Sequence, residues 1–345
     1  MTVVQSLSLC ARVTLDLHSL NNEGTEGNQQ QTRMVYIIDQ RGQRQSVNAV
    51  SGDMFKHILV EHLIPLLAEA QQPLSPGATV HDADRINALN QAFVDFCEKE
   101  QEFQVDGKVQ KRRATESEIM SKMLVDCSLT DLAGALVTRG RSVGRKSVVE
   151  FGWVVGLPED GNGQPLTTTE QYFHVKYAPE GREAAAGGET VAGKQAIFHR
   201  PASSGIYALI CNLDLYRIGL NDITRKYVVE KPKRAARAKA VIHALASTLL
   251  KPAGAQRNTQ NPHIVNCEGV VAFSSTSLPA PTVSPLNDNY RSQITQAKDV
   301  LNRIKENGTL VREFGTLAEG VKVLAEIAAD LDLPEDSTNG KGQEA

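Results

Sequence analysis

An α+β fold is predicted by three features of the chain. Apolar and polar residues alternate strictly over Ser6–Leu17, the pattern of a half-buried strand in an antiparallel sheet. Amphipathic helical stripes follow that strand and return near the C-terminus. Strands and helices interleave without a regular strand–helix–strand rhythm, which disfavours a doubly wound parallel sheet. The 345 residues, 41% of them apolar, suffice for one large domain with insertions or for two modest ones.

In the first strand, Leu7, Leu9, Ala11, Val13, Leu15 and Leu17 point to the core, and Ser6, Ser8, Cys10, Arg12, Thr14 and Asp16 to a polar, uncovered side. Asn21–Arg33 (NNEGTEGNQQQTR) has two glycines and no large apolar residue, so it is expected as an exposed polar loop, a usual carrier of function. Met34–Asp39 and Gln45–Val50 read as strands about the turn Gln40–Gln43. Ser51 then caps a helix whose stripe runs through Met54, Phe55, Ile58, Leu59, Val60 and Leu63, and Pro65 is expected to kink or break it. Gln71–Gly77 reads as a loop, Asp84–Lys99 as a second amphipathic helix, and Glu116–Val137 as mostly helical.

Lys146–Val155 reads as a strand with Val149, Phe151, Trp153 and Val155 on one face. From Pro158 to Gly193 the composition turns to Gly, Thr and Glu, with one strand-like island at Glu170–Tyr177, as in a protruding hairpin or arm. Ile206–Leu215 is a strand, Arg234–Leu250 a helix, Ile264–Phe273 a strand, and Ile294–Ile304 and Leu317–Leu331 helices. The polar tail from Pro334 is expected to be disordered.

No apolar run of eighteen residues is present, so no membrane span is expected, and the N-terminus lacks the basic start of a signal peptide. Cys10, Cys97, Cys127, Cys211 and Cys267 are odd in number and form no CxxC, which argues against a disulfide framework or zinc knuckle and fits buried thiols in a reducing cytoplasm. The net charge of −3 opposes a nucleic-acid binder taken as a whole, but cations cluster at Lys108–Arg113, Arg139–Lys146 and Lys231–Lys239. Any one such run is more often a solvated face.

Gly140–Ser147 approaches a phosphate loop. However, Arg145 intrudes between glycine and lysine, and a strand rather than a helix follows, so nucleotide hydrolysis is excluded. Its arginines still suit phosphate contact. Asp53, His57 and Glu61 share a helix face, and ordinary surface pairing accounts for them better than acid–base chemistry. HExxH, GxSxG and GxGxxG are all absent, and no metal or cofactor is expected. What remains is the polar loop Asn21–Arg33, the helix start Ser51–His57, the turn Arg139–Lys146 and the pair Arg225–Lys226. A helix N-terminus presents free N–H groups and partial positive charge, which suits a phosphate.

These segments belong to a longer ordered set: Ala11-Arg12-Val13, Leu20–Glu23 with Gly27-Asn28, and Val50-Ser51-Gly52 with Phe55-Lys56-His57 and Glu61. Then come Asp131–Gly134, Arg145–Ser147, Phe151-Gly152, Ser204–Tyr207, Leu213–Gly219, and Pro279–Pro281 with Ser284-Pro285. Over about residues 5–290 the set resembles the DevR-type CRISPR-associated proteins, the backbone subunits of type I Cascade within the RAMP superfamily.

The resemblance implies an RRM-like (ferredoxin-like) palm over 1–333, with helical fingers at about 71–137, a thumb at about 158–200 and a tail at 334–345. It implies a non-catalytic role, with copies stacking head to tail along a CRISPR RNA that pairs with target DNA, beside the large, repeat-processing and 5′-end-binding Cascade subunits. The expected RNA contacts are Arg12, Asn21, Asn22, Gly24, Asn28, Arg33, Ser51, Gly52, Lys56, His57, Arg139, Arg141, Arg145, Lys146, His174, Lys176, Lys194, Arg200, Arg225 and Lys226. The polar face of the first strand carries no stacking aromatics, which favours backbone contacts and sequence-independent binding. Two other classes stay open: a metal-independent repeat-processing nuclease using His18, His57 or His199, and a metabolic α+β enzyme using Asp53, His57 and Glu61.

Overall fold

The computed structural model describes residues 2–105, 108–160, 162–176 and 196–335. Strand β1 (Thr2–Val3) leads into β2 (Ser6–His18), the long alternating strand. Asn21–Arg33 is a hairpin of β3 (Asn22–Glu26) and β4 (Gln29–Thr32), turned at Gly27 in the left-handed region (φ 59°). A second hairpin, β5 (Met34–Ile38) and β6 (Arg44–Val50), delivers the chain to α1 (Gly52–Glu69).

Pro65 lies inside α1 and does not end it. Leu63, Ile64 and Leu67, all buried, anchor the turn on both sides and outweigh the missing N–H. The expected helix Asp84–Lys99 is instead a 3₁₀ turn at Arg85–Asn87 and a shorter α3 (Gln91–Glu98), after the brief α2 (Pro76–Thr79). Leu89 takes φ 52° and Asn90 caps α3, so the helix restarts there.

A hairpin of β7 (Gln101–Val105) and β8 (Lys108–Arg112) precedes α4 (Glu116–Asp126) and α5 (Ser128–Ala133). Gly134 (φ 77°) ends the helical run, because a side chain there would meet the Arg145 carbonyl, and β9 (Ala135–Val137) pairs back on β10 (Val143–Arg145). The expected strand Lys146–Val155 is two short strands, β11 (Val149–Phe151) and β12 (Val154–Gly156). β13 (Thr167–Lys176) and β14 (Ala196–Leu213) form a long antiparallel ribbon. Gly181–Gly193, expected as flexible, lies outside the described residues, as does most of the tail.

Helix α6 (Lys231–Leu250), β15 (His263–Ser274), α7 (Tyr290–Ile304), β16 (Thr309–Phe314), α8 (Leu317–Asp330) and β17 (Leu331–Asp332) complete the chain. β16 and the terminal pair β1–β17 were not foreseen. β16 is a short, largely polar edge strand with little periodic signal.

The main sheet runs β16-β15-β2-β14-β12-β6-β5. Its centre, β15-β2-β14-β12, has the antiparallel order of a ferredoxin-like palm, so the α+β, RRM-like expectation holds. Leu7, Leu9, Ala11, Val13 and Leu15 pack with α1 and α6 into one core. The other side of β2 was expected to be open, and it is covered. Residues 279–290 lie across it as a strap, the Ala280 N–H donating to Ser6 Oγ (3.0 Å) and Ser8 Oγ donating to the Pro281 carbonyl (2.7 Å). Cys10 joins Val270, Ala272, Tyr290 and Ile294 in a second small core there, under α7. The cysteines are free and buried, as expected.

Candidate nucleic-acid interface

The start of α1 is built from three segments. The Ser51 hydroxyl accepts from the Met54 N–H (3.2 Å) as a regular cap, while the N–H and hydroxyl of Ser51 both donate to Asn21 Oδ1 (3.1 and 3.0 Å). Asn21 is buried, so it locks the root of the β3–β4 hairpin to the helix rather than facing a ligand. At Gly52 a Cβ would stand 2.6 Å from the Phe151 carbonyl, so only glycine lets the helix start this close to β11.

These residues line a groove of about 300 Å³ bordered by Ser51, Gly52, Asp53, Lys56, Ser147, Glu150 and Trp153. Lys56 is half-buried, and desolvation followed by repulsion from Arg85 lowers its pKa. Asp53 and Glu150 offset this only in part. Arg85, whose guanidinium donates to the Gly134 carbonyl, is itself depressed by burial. Two partly desolvated cations at a helix N-terminus form a site where an anion would relieve electrostatic cost.

Arg33 sits on the same rim. Its Nε donates to Glu23 (2.5 Å), and its guanidinium lies 5.3 Å from the centre of the Trp153 ring. Asn22 is occupied by Ser19 and Gln256 (2.8 and 2.9 Å), whereas Gly24 and Asn28 are exposed on the hairpin. The hairpin leans on the ribbon, the His199 N–H donating to the Asn28 carbonyl (2.9 Å) and Gln171 reaching the Gln30 carbonyl (3.1 Å). On the ribbon, Arg200 donates to Thr259 (2.9 Å) and stacks over Phe198, and His174 stacks beside the same ring. Lys176 ends β13, and Lys194 lies outside the described residues.

The other expected contacts are dispersed. Arg139 and Arg141 occupy the turn beyond β9, Arg139 4.0 Å from Glu98 and Arg141 donating to the Ala114 carbonyl. Arg225 (φ 57°) and Lys226 are exposed on a corner that Asn221 ties to α4. Lys146 is exposed and paired with Glu150 (2.6 Å). His57 is exposed, 3.8 Å from Glu61, and Glu61 also bonds His81 (2.7 Å).

Besides Asn21, two more expected contacts are overturned. Arg145 cannot meet RNA. Its side chain is fully buried and donates to Asp131 (2.8 Å), Asp222 (2.9 Å) and the carbonyls of Arg217 and Leu220. Arg12 is committed to the strap, donating to the Pro285 carbonyl (3.0 Å) and to Asp288 (2.7 Å). The basic run of α6 is likewise not a solvated face: Arg234 and Arg237 are buried, Arg237 on Asp131 (2.8 Å).

Trp153 and Arg85 were missed. Trp153 was placed on a continuous apolar face, but the break at Gly152 turns it outward to 47% exposure. A glycine before the chain's single tryptophan, between two valine-rich strands, was the available signal.

Burial pushes His18 down to about 4, and Cys10 up to about 11. Among the described residues no cluster of His, Cys, Asp or Glu could hold a metal, and no helix is long and apolar enough to cross a membrane.

The family model described as "CRISPR-associated negative auto-regulator DevR/Csa2" matches residues 9–295. A solved chain described as "CRISPR RNA-guided surveillance complex, pre-nicking" superposes with a TM-score of 0.52 at 10% identity, over 94% of this chain and 100% of that one. A second surveillance-complex chain gives 0.43 at 11% identity, over 94% and 98%. Csc2 of Thermofilum pendens gives 0.38 at 12%, over 92% and 80%. No curated protein sequence matches the chain. The first of these structures shares the fold.

Proposed function

We propose, from the premise that this chain belongs to the CRISPR-associated DevR/Csa2 family, that it is a non-catalytic backbone subunit of a type I Cascade effector. Copies stack head to tail along a CRISPR RNA, an open heterologous array, and hold the guide by its phosphates so that its bases pair with target DNA. The observation that carries this reading is the rim at α1. Lys56 lines two adjoining grooves at the helix N-terminus, one shared with Trp153, over which Arg33 lies, and the other with Arg85, and among the described residues no His, Cys, Asp or Glu cluster there could hold a metal. We assign the insertion 71–137 to the fingers and the segment at about 158–200, which includes β13 and only the start of β14, to the thumb, which folds over the RNA of the next copy and displaces a base at intervals. The large, repeat-processing and 5′-end-binding subunits complete the complex.

The processing-nuclease reading loses His18, which is buried with its pKa lowered to about 4, while His57, exposed 3.8 Å from Glu61, and His199, packed on the Phe173 ring, keep it as the alternative that the assay below tests. The test is stoichiometry on single-stranded RNAs of increasing length and unrelated sequence. Bound copies rising in steps with length support the reading. A single copy at every length, or cleavage of a repeat hairpin, overturns it.

A further inference from the structure

We propose that Trp153 is a stacking platform for one unpaired nucleobase of the bound RNA, with Arg33 as its cationic backing. This rests on the RNA-binding reading and adds a base contact to a site otherwise built for phosphates.

The apolar residues around Trp153 are all turned in. Phe151 packs on Phe55 (ring centres 5.9 Å apart), Val154 is fully buried and Val155 nearly so. The Gly152 N–H still donates to the Ile210 carbonyl (3.0 Å), and the pairing with β14 slips by one residue between Phe151, opposite Cys211, and Val155, opposite Ala208, a bulge at which the indole alone faces out. An exposed indole forfeits the burial that normally stabilises so large an apolar group.

The indole is nonetheless held in place. Arg33 stands 5.3 Å from its ring centre, aimed by Glu23 at 2.5 Å, and the Arg33 carbonyl accepts from Ala49 and Asn48 (3.0 Å each). A cation over an aromatic ring restrains it with modest energy and leaves its remaining surface accessible.

The neighbours decide what the platform receives. Trp153 borders the groove lined by Ser51, Gly52, Asp53, Lys56 and Glu150, a polar floor carrying a lysine, with Glu150 held by Lys146 (2.6 Å). Apolar protein side chains would strand those groups, whereas a nucleotide brings a flat apolar ring and an anion together. Tyr36, Tyr172 and Phe173 are also exposed, but none lines this groove. Every base has a π-face, so stacking here is compatible with a guide of any sequence.

The chain has a single tryptophan, so its intrinsic emission reports on this position alone. The full chain would be titrated with end-labelled oligouridine, oligoadenosine and an abasic ribose-phosphate strand of equal length, reading label anisotropy and tryptophan emission together. The expectation is that all three bind and that only the base-bearing strands quench the emission. Trp153→Phe should keep most of the affinity, and Trp153→Leu should lose about tenfold, the scale of one base–aromatic stack, with an unchanged salt slope.

Binding without a change in emission, or Trp153→Leu binding like the parent, overturns the proposal and leaves the RNA-binding reading standing. Emission that moves with protein concentration alone assigns Trp153 to a contact between copies and also overturns it. Loss of anisotropy change with every strand overturns the RNA-binding reading itself.

Discussion

The arginines gathered on Asp131 and the cations along the rim of α1 differ in where their counter-charges come from. Arg145 and Arg237 reach Asp131 on α5, and Arg145 and Arg217 reach Asp222 on a distant corner, so these three buried guanidiniums are matched inside the fold. At the rim, Lys56 and Arg85 are partly desolvated and push against each other. The first arrangement closes on itself and serves the architecture. The second stays electrostatically open and is where an external anion gains most. Burial alone does not separate the two; what does is that Arg145, Arg217 and Arg237 bond their carboxylates directly, whereas Asp53 and Glu150 only partly offset the cost at Lys56.

The comparison breaks most visibly at Asp131. Asp131→Ala strands Arg237 in the interior, leaves Arg145 with the Asp222 carboxylate alone and removes the acceptor of the Gly219 N–H (2.9 Å). It should cost about 3–5 kcal/mol or prevent folding. An unchanged urea midpoint would show that the hub is not what holds α5, α6 and the 214–222 corner together.

His18 sharpens the contrast from another side, as a buried base given no carboxylate. It is 2% exposed, and burial lowers its pKa to about 4, with Tyr207 packed edge-on at 5.0 Å. The unfolded chain takes up the proton first, so stability is intact above about pH 6.5. It is lost as pH falls toward 4, by up to about 3 kcal/mol. His18→Gln should flatten that part of the pH–stability curve.

At the open rim, Lys56→Gln should weaken RNA binding about tenfold and reduce the salt slope by about one, since one phosphate contact is lost. Its thermal midpoint should hold or rise, because the ammonium is disfavoured in the folded state. A fall in stability with unchanged RNA affinity would place Lys56 with the architectural group. The smallest effect is expected at Lys146, adjacent to Arg145 but exposed on Glu150. Lys146→Ala should change stability by less than about 1 kcal/mol.

The local pattern of the sequence carried the strand Ser6–His18, the capped start of α1, and α6 and β15, because each has a strong period over many residues. It failed where distant segments decide. The polar face of β2 reads as open until the strap at 279–290 is laid over it, and nothing within Ser6–His18 encodes that cover. Arg145 and Lys146 are neighbours in one basic run, yet one is buried and the other exposed, because β10 ends between them. The rim was half legible: Ser51, Gly52 and Lys56 followed from helix-start chemistry. Trp153 did not, because alternation assigned it to the core.

The position of β2 also sets an order of events. Leu9, near the start of the chain, pairs with Cys211 on one side and Val271 on the other, and Thr2 pairs with Leu331. During synthesis the first strand must therefore wait, apolar on one face, until β14 has emerged for one flank and β15 for the other. Such long-range closure is slow and exposes an aggregation-prone edge in the meantime. Chains interrupted before β15 would lack the partner on one flank of β2, and a palm able to join an assembly would be available only from completed protein.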